Sequence, residues 1–351
     1  MDNNRQNDLQ PTMSRRRRQA IRAAKQRRTL LAIALCFALV LIMFLIILCG
    51  NLIASIRERA DSGKTPDDDT QTEQPGDEQP GEETPDEGTP EQPSDPTVTD
   101  IVAPATLINQ GSLLLVNDTH EYISFQLNSN NLINIYDSQA MSKTKHFQLS
   151  GSNLFMEKNA YNALNKMLTT FSEQHDNKNI LIRSAYRSYE DQIKSGSSVR
   201  PGYSDSHTGL SCELKVYNDQ GKTVLLSADP VYDWIYENCH KYGFVVRYPD
   251  GKEALTGISD YNYYFRYVGY VHAYVMKTNG MCLEEYISYV RGYSNEAPLS
   301  VTADDGTSYE IYYVPAAIGG MDTLVPVPVE NAYTISGDNE GGFIITVTLP
   351  Q

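Results

Sequence analysis

Cysteine is scarce in this 351-residue chain: there are five, with no Cys-x-x-Cys pair, which excludes a zinc ribbon. The three beyond residue 100 (Cys212, Cys239 and Cys282) are odd in number and lack metal-site spacing, so they read as buried thiols. Basic residues thin out after residue 60. Residues 61–100 hold Lys64 alone against 14 Asp and Glu, and residues 101–351 carry a net −10. A folded part of that sign repels phosphate, which excludes nucleic acid as a partner. Thr29 to Ile56 contains no charged residue, and Thr65 to Pro96 no aromatic or large aliphatic one. Such segregation excludes a one-domain cytosolic enzyme.

The charge-free run exceeds the roughly 20 apolar residues that a helix needs to cross a bilayer. Arg15 to Arg18, Arg22, Lys25, Arg27 and Arg28 precede it, and residues 1–60 carry a net +8. Positive residues on that side predict a basic cytoplasmic tail (1–28), a single-pass anchor in the cell membrane (29–56) and an extracytoplasmic remainder. The run is longer than the roughly 7–15-residue apolar centre of a cleaved signal peptide. Leu48 stands before Cys49, where a lipobox wants a small residue. Residues 57–105 read as an acidic, proline-rich disordered linker with seven prolines from Pro66 to Pro96. It has too little apolar surface to fold, and its carboxylates repel one another.

Beyond the linker the patterns alternate between helix and strand. Ala160, Leu164, Met167, Leu168 and Phe171 recur at helical spacing and predict a helix over 155–172. "GSLLLVN" (111–117) and "NILIRS" (179–184) read as strands. Residues 209–217 and 222–227 read as a hairpin turning at Asn218 to Gly221. Asp229, Pro230 and Gly243 punctuate a helix whose apolar face holds Val231, Trp234 and Ile235. "FVVRY" (244–248) follows as a strand, and a last helix is expected near 283–291. After Ala297, "YEIYYV" and "FIITVTL" read as strands of a β-rich appendage (295–351). The mixture implies an α+β class with a mainly antiparallel sheet and flanking helices.

Four blocks carry more than secondary structure: "SAYRSYEDQ" (184–192), "PGYSDSHTGLSCEL" (201–214), "WIYENCHKYGFVVRYPDGKEALTG" (234–257) and "FRYVGYVHAYVMKTNGMCLEEYI" (265–287). In this order they resemble the VanY-type D-alanyl-D-alanine carboxypeptidases, the M15 zinc peptidases that trim peptidoglycan stem peptides. The resemblance covers roughly 110–292 and implies a VanY/hedgehog-type peptidase fold over 106–294. It also implies a zinc held by the His and Asp of S-x-H-x-x-G-x-x-x-D and by the His of E-P-W-H, whose Glu is the general base. The chemistry is that of a metal-polarised water beside a carboxylate that takes its proton.

Aligned on Ser204 and Gly209, the first His position falls at Ser206 and the Asp position at Glu213, with His207 displaced by one. Counted back from Phe265, the second His position is Tyr264 and the base position Tyr261. Ser206, Glu213 and Tyr264 are thus degenerate metal positions, no catalytic base is expected and no cofactor is expected, although active relatives use zinc. The aligned positions are expected to meet in one cleft. Arg187 matches the arginine that holds substrate in the family, with Ser188 and Gln192 following in pattern; a guanidinium can grip a carboxylate without metal. Arg247 and Arg266 match positions in structural blocks and read as scaffold. The leading reading is a non-catalytic relative that binds peptidoglycan stem peptide or an envelope protein. Two alternatives remain: an active carboxypeptidase with a metal site rebuilt from His207, Glu213 and His272, and a docking module of an envelope complex.

Overall fold

The computed structural model of the protein describes residues 98–123 and 131–350. The basic tail, the anchor and residues 57–97 of the linker lie outside the described residues. Among the described residues no helix is long and apolar enough to cross a membrane.

The described residues start with β1 (Val98–Ala103) and a 3-10 turn (Ala105–Asn109), and from residue 131 they continue into β2 (Leu132–Asn134), α1 (Ile135–Ala140), β3 (Gln148–Leu149) and β4 (Phe155–Glu157). α2 (Lys158–His175) starts where the Glu157 carboxylate accepts the backbone N–H groups of Asn159 at 2.7 Å and Ala160 at 2.9 Å. It buries Ala160, Leu164, Met167, Leu168 and Phe171, the face the spacing predicts. Next come β5 (Ile180–Ser184), α3 (Tyr189–Lys194), β6 (Ser211–Tyr217) and β7 (Thr223–Val224). The hairpin turns at Asn218 to Gly221, although β7 is only two residues long. Asp229 caps the following 3-10 turn, which leads into α4 (Asp233–Asn238) and a second 3-10 turn ending at Gly243 in the left-handed region. β8 (Phe244–Val246), α5 (Glu253–Thr256), β9 (Tyr264–Tyr267), α6 (Tyr270–Asn279) and α7 (Leu283–Val290) complete this part.

The main sheet runs β3-β5-β6-β9-β8, with β7 also on β6; the β3–β5 pair is parallel and the other pairs are antiparallel. Period-2 alternation sorts β6 cleanly. Cys212, Leu214 and Val216 enter the core with α2, while Ser211, Glu213 and Lys215 share the opposite face. That second face carries the candidate site.

The C-terminal strands are β10 (Leu299–Thr302), β11 (Ser308–Pro315), β12 (Thr323–Pro328), β13 (Tyr333–Gly337) and β14 (Gly342–Thr348). They form a β10-β11-β14-β13 sheet, antiparallel throughout, while β12 pairs with β1. The linker assignment of 57–105 overlaps β1, whose Ile101 and Ala103 pack with Val325, Val327, Phe343 and Ile345. From the segment 295–351, Ile311 and Ile344 pack with Val275, Leu283, Tyr286 and Val290 of α6 and α7. Both faces of β14 are buried, which explains the unbroken apolar run "FII".

The segment 111–117 is not a strand. Leu113, Leu114, Leu115 and Val116 are buried, and distant side chains bond four of their backbone groups. The Arg266 guanidinium donates to the carbonyls of Ser112 (3.1 Å) and Leu114 (3.0 Å), and that of Arg247 to the carbonyl of Val116 (3.2 Å). Ser336 Oγ accepts the Leu113 N–H at 2.9 Å. An apolar run signals burial, and here charged partners replace a neighbouring strand.

Candidate functional site

Asp205 to Thr208 form a buried 3-10 turn that ends at Gly209, φ 73°. A side chain at Gly209 would meet Leu132 at 2.6 Å, so close packing and the left-handed backbone both call for glycine. Asp205 pins the turn from below. Its fully buried carboxylate pairs with Arg247 Nε at 3.3 Å and with Arg266 Nη1, and accepts from Ser211 Oγ. Arg247 also grips Glu284 with two bonds, of 3.0 and 2.8 Å. Two guanidinia thus face two carboxylates, and the buried charges balance. Arg247 and Arg266 are scaffold, as their positions suggest.

That scaffold delivers Ser206 to the site. Ser206 Oγ lies 2.6 Å from Tyr264 Oη, and both residues are buried. Glu213 sits opposite Tyr264 in the β6–β9 register. Its carboxylate accepts from Ser184 Oγ (3.1 Å) and Tyr261 Oη (3.4 Å) and pairs with Lys215 Nζ (3.2 Å). Tyr261 stacks on Tyr264 with centroids 5.1 Å apart, and Tyr248 packs against both. Burial, then the nearby Glu213 carboxylate, push the Tyr261 hydroxyl above the ordinary phenol range, and burial does the same at Tyr264. Both remain neutral phenols at neutral pH. The four aligned positions therefore converge: Ser206, Tyr261 and Tyr264 line a cavity of about 330 Å³ with Arg187, Ser204 and Tyr248, and Glu213 bonds to its wall.

Arg187 enters the cavity from the loop after β5, and its Nη1 donates to Gln192 Oε1 at 2.8 Å. Gln192 is buried and hands its amide on to the Val199 carbonyl at 2.8 Å. Ser188 does not reach the cavity lining. It caps α3, accepting the Asp191 N–H at 3.1 Å and donating to the Asp191 carboxylate at 2.9 Å. Of the three expected substrate-binding residues, the structure places Arg187 in the cavity, Gln192 behind it and Ser188 at the helix start.

The histidines of a rebuilt metal site do not assemble. His207 Nδ1 bonds the Arg187 carbonyl at 2.7 Å, and its Nε2 accepts the Gly202 N–H at 3.1 Å, which fixes the tautomer and occupies the lone pair a metal would need. Burial lowers its pKa against the opposing pull of the Arg187 carbonyl, so the ring is neutral. His272 stands on α6 in another core, bonded to Tyr286 Oη at 2.6 Å and to Thr346 Oγ1 at 3.1 Å, and burial lowers its pKa to about 3. Among the described residues no group of three or more His, Cys, Asp or Glu is placed to hold a metal ion.

Sequence reasoning missed Tyr248, Lys215 and Asp205. Strand alternation could have placed Lys215 on the face of Glu213. Nothing local marks Asp205 as the anchor of two arginines, which lie 42 and 61 residues away.

Comparison with known proteins bears on the family and the fold. The family described as VanY, D-alanyl-D-alanine carboxypeptidase, matches residues 153–270. A D-alanyl-D-alanine carboxypeptidase of Enterococcus faecium is 31% identical over 246 residues, 68% of this chain and 76% of its own length. The bifunctional D-Ala-D-Ala dipeptidase and carboxypeptidase VanXYC of Enterococcus gallinarum is 31% identical over 93 residues, and the match spans 49% of its length. Among solved structures, the vancomycin-resistance D,D-dipeptidase VanXYg, in complex with a D-Ala-D-Ala phosphinate analogue, matches with a TM-score of 0.61 at 29% identity. That match covers 72% of this chain and 99% of VanXYg, a larger share of this chain than residues 106–294 make up.

Proposed function

Because the chain belongs to the VanY family of D-alanyl-D-alanine carboxypeptidases, we propose that it acts at the peptidoglycan as a membrane-anchored, extracytoplasmic member that binds the stem peptide without cleaving it. The ligand follows from the relatives, whose names specify D-Ala-D-Ala peptides, and from Arg187 in the cavity, a guanidinium suited to a peptide carboxylate. The anchoring follows from the charge-free run at 29–56 and the basic residues before it.

One observation carries the non-catalytic reading: the 2.6 Å bond between Ser206 Oγ and Tyr264 Oη, at the two positions where active relatives present imidazoles. Zinc in proteins takes imidazole, thiolate or carboxylate donors about 2.0–2.3 Å away. The donor set here does not fit that ion. Two of its three members are neutral hydroxyls bonded to each other, and the third, Glu213, is paired with Lys215 at 3.2 Å. Nor does Tyr261 supply a base: it is a phenol held above its ordinary pKa, donating to Glu213. The test is D-alanine release from a pentapeptide ending in D-Ala-D-Ala, with zinc supplied. No release above background is expected; release that disappears in Glu213→Ala would overturn the reading.

A further inference from the structure

The cavity holds one guanidinium and one hydroxyl pair whose hydrogen-bonding capacity is only half used. Ser206 and Tyr264 carry one proton each, and the bond between them uses one. Among the described residues no other acceptor takes the second proton, although Ser206 is 4% and Tyr264 3% exposed. Burial keeps the phenol protonated, so that donor persists at neutral pH. Arg187 lies in the same lining, and its Nη1 bonds to an uncharged partner, Gln192. The remaining lining is made of serine, tyrosine, valine and isoleucine side chains, with no carboxylate among them. The surface therefore offers hydrogen-bond donors and one positive charge, the complement of a ligand end rich in oxygen.

We propose that the Ser206–Tyr264 pair donates its unspent proton to an oxygen of the bound peptide's terminal D-Ala-D-Ala, beside Arg187 on the terminal carboxylate, so that the peptide is held without metal. This rests on the peptide-binding reading above. A buried donor in want of an acceptor favours a ligand that supplies one, and a neutral hydroxyl serves that purpose without polarising a water for attack. Tyr261, stacked on Tyr264, and Tyr248, packed against both, hold the donor in place, and Asp205, clamped by two arginines, holds Ser206.

The experiment is calorimetric titration of the full-length protein with acetyl-D-Ala-D-Ala in EDTA, with the ligand carbonyl carbons labelled for NMR. The wild type is expected to bind despite the chelator. A variant carrying Ser206→Ala and Tyr264→Phe keeps the ring stack and loses both hydroxyls. It should bind about three- to tenfold more weakly, as expected for one lost neutral hydrogen bond. One labelled carbonyl resonance should move downfield on binding to the wild type and move less in the variant, a change that a merely structural role for the pair would not produce. Equal affinity and equal carbonyl shifts in the two proteins would overturn the inference and leave the peptide-binding reading standing. Binding that EDTA abolishes would overturn the metal-free contact. A wild type that fails to bind would sink the peptide-binding reading, and the inference with it.

Discussion

Replacing Arg266 by methionine tests the scaffold beneath the site. The guanidinium is fully buried and bonds Asp205 and the carbonyls of Ser112, Leu114 and Tyr267. Methionine keeps an unbranched apolar stem and removes the charge. Breaking one partner out of a buried ion pair costs about 3–5 kcal/mol, because the other charge is left uncompensated. Arg247 remains on Asp205 at 3.3 Å and softens that loss, whereas the buried Leu114 carbonyl and the part-buried Ser112 carbonyl lose their donor, at up to about 1–3 kcal/mol each where nothing replaces it. These terms overlap, and a net loss of about 4 kcal/mol is expected, a large share of the roughly 5–15 kcal/mol that holds a domain folded. Urea unfolding can be followed through Trp234, the sole tryptophan, which packs against Phe171 and Tyr242. Amide exchange should rise first in residues 112–116. A loss below about 1 kcal/mol with unchanged exchange there would refute the clamp.

His272 gives a pH prediction with a definite sign. Its folded pKa of about 3 lies below the unfolded value near 6.5, so between those limits the unfolded chain binds more protons and stability falls as pH falls, by on the order of 4 kcal/mol across the window. Relative to His272→Gln, the wild type should lose stability as pH falls from about 6.5 toward 3, while the gap between their urea midpoints stays constant above pH 6.5; a gap that is constant down to pH 3 would contradict the assignment. His207→Phe removes the ring bonds to the Arg187 carbonyl and the Gly202 N–H, and is expected to lower stability by about 1–3 kcal/mol and to weaken peptide binding through Arg187. Unchanged binding in that variant would separate His207 from the positioning of Arg187.

Much of the fold was legible because its signals are local. The α2 stripe, the Asp229 cap and the Asn218 to Gly221 turn each depend on residues within a few positions of one another. The meeting of Ser206, Glu213, Tyr261 and Tyr264 came from alignment on Gly209 and Phe265, and the β6–β9 register realises it. What escaped is long-range. The partners of Leu113 to Val116 include Ser336, Asn339, Arg247 and Arg266, all more than 100 residues away, so an apolar run promised a strand that pairing does not supply. β1 reads as the end of a linker until β12, 220 residues on, gives it a partner. His272 attracted a metal reading by residue type alone. Its neighbours Tyr286 and Thr346 come from α7 and β14, and no spacing rule connects them.

The most direct test of the central claim is elemental analysis of the full-length protein purified with zinc present throughout. The account predicts well under one zinc per chain, unchanged in Glu213→Ala, because Ser206 and Tyr264 bond each other and Lys215 pairs with Glu213. One zinc per chain, lost in Glu213→Ala, would contradict it.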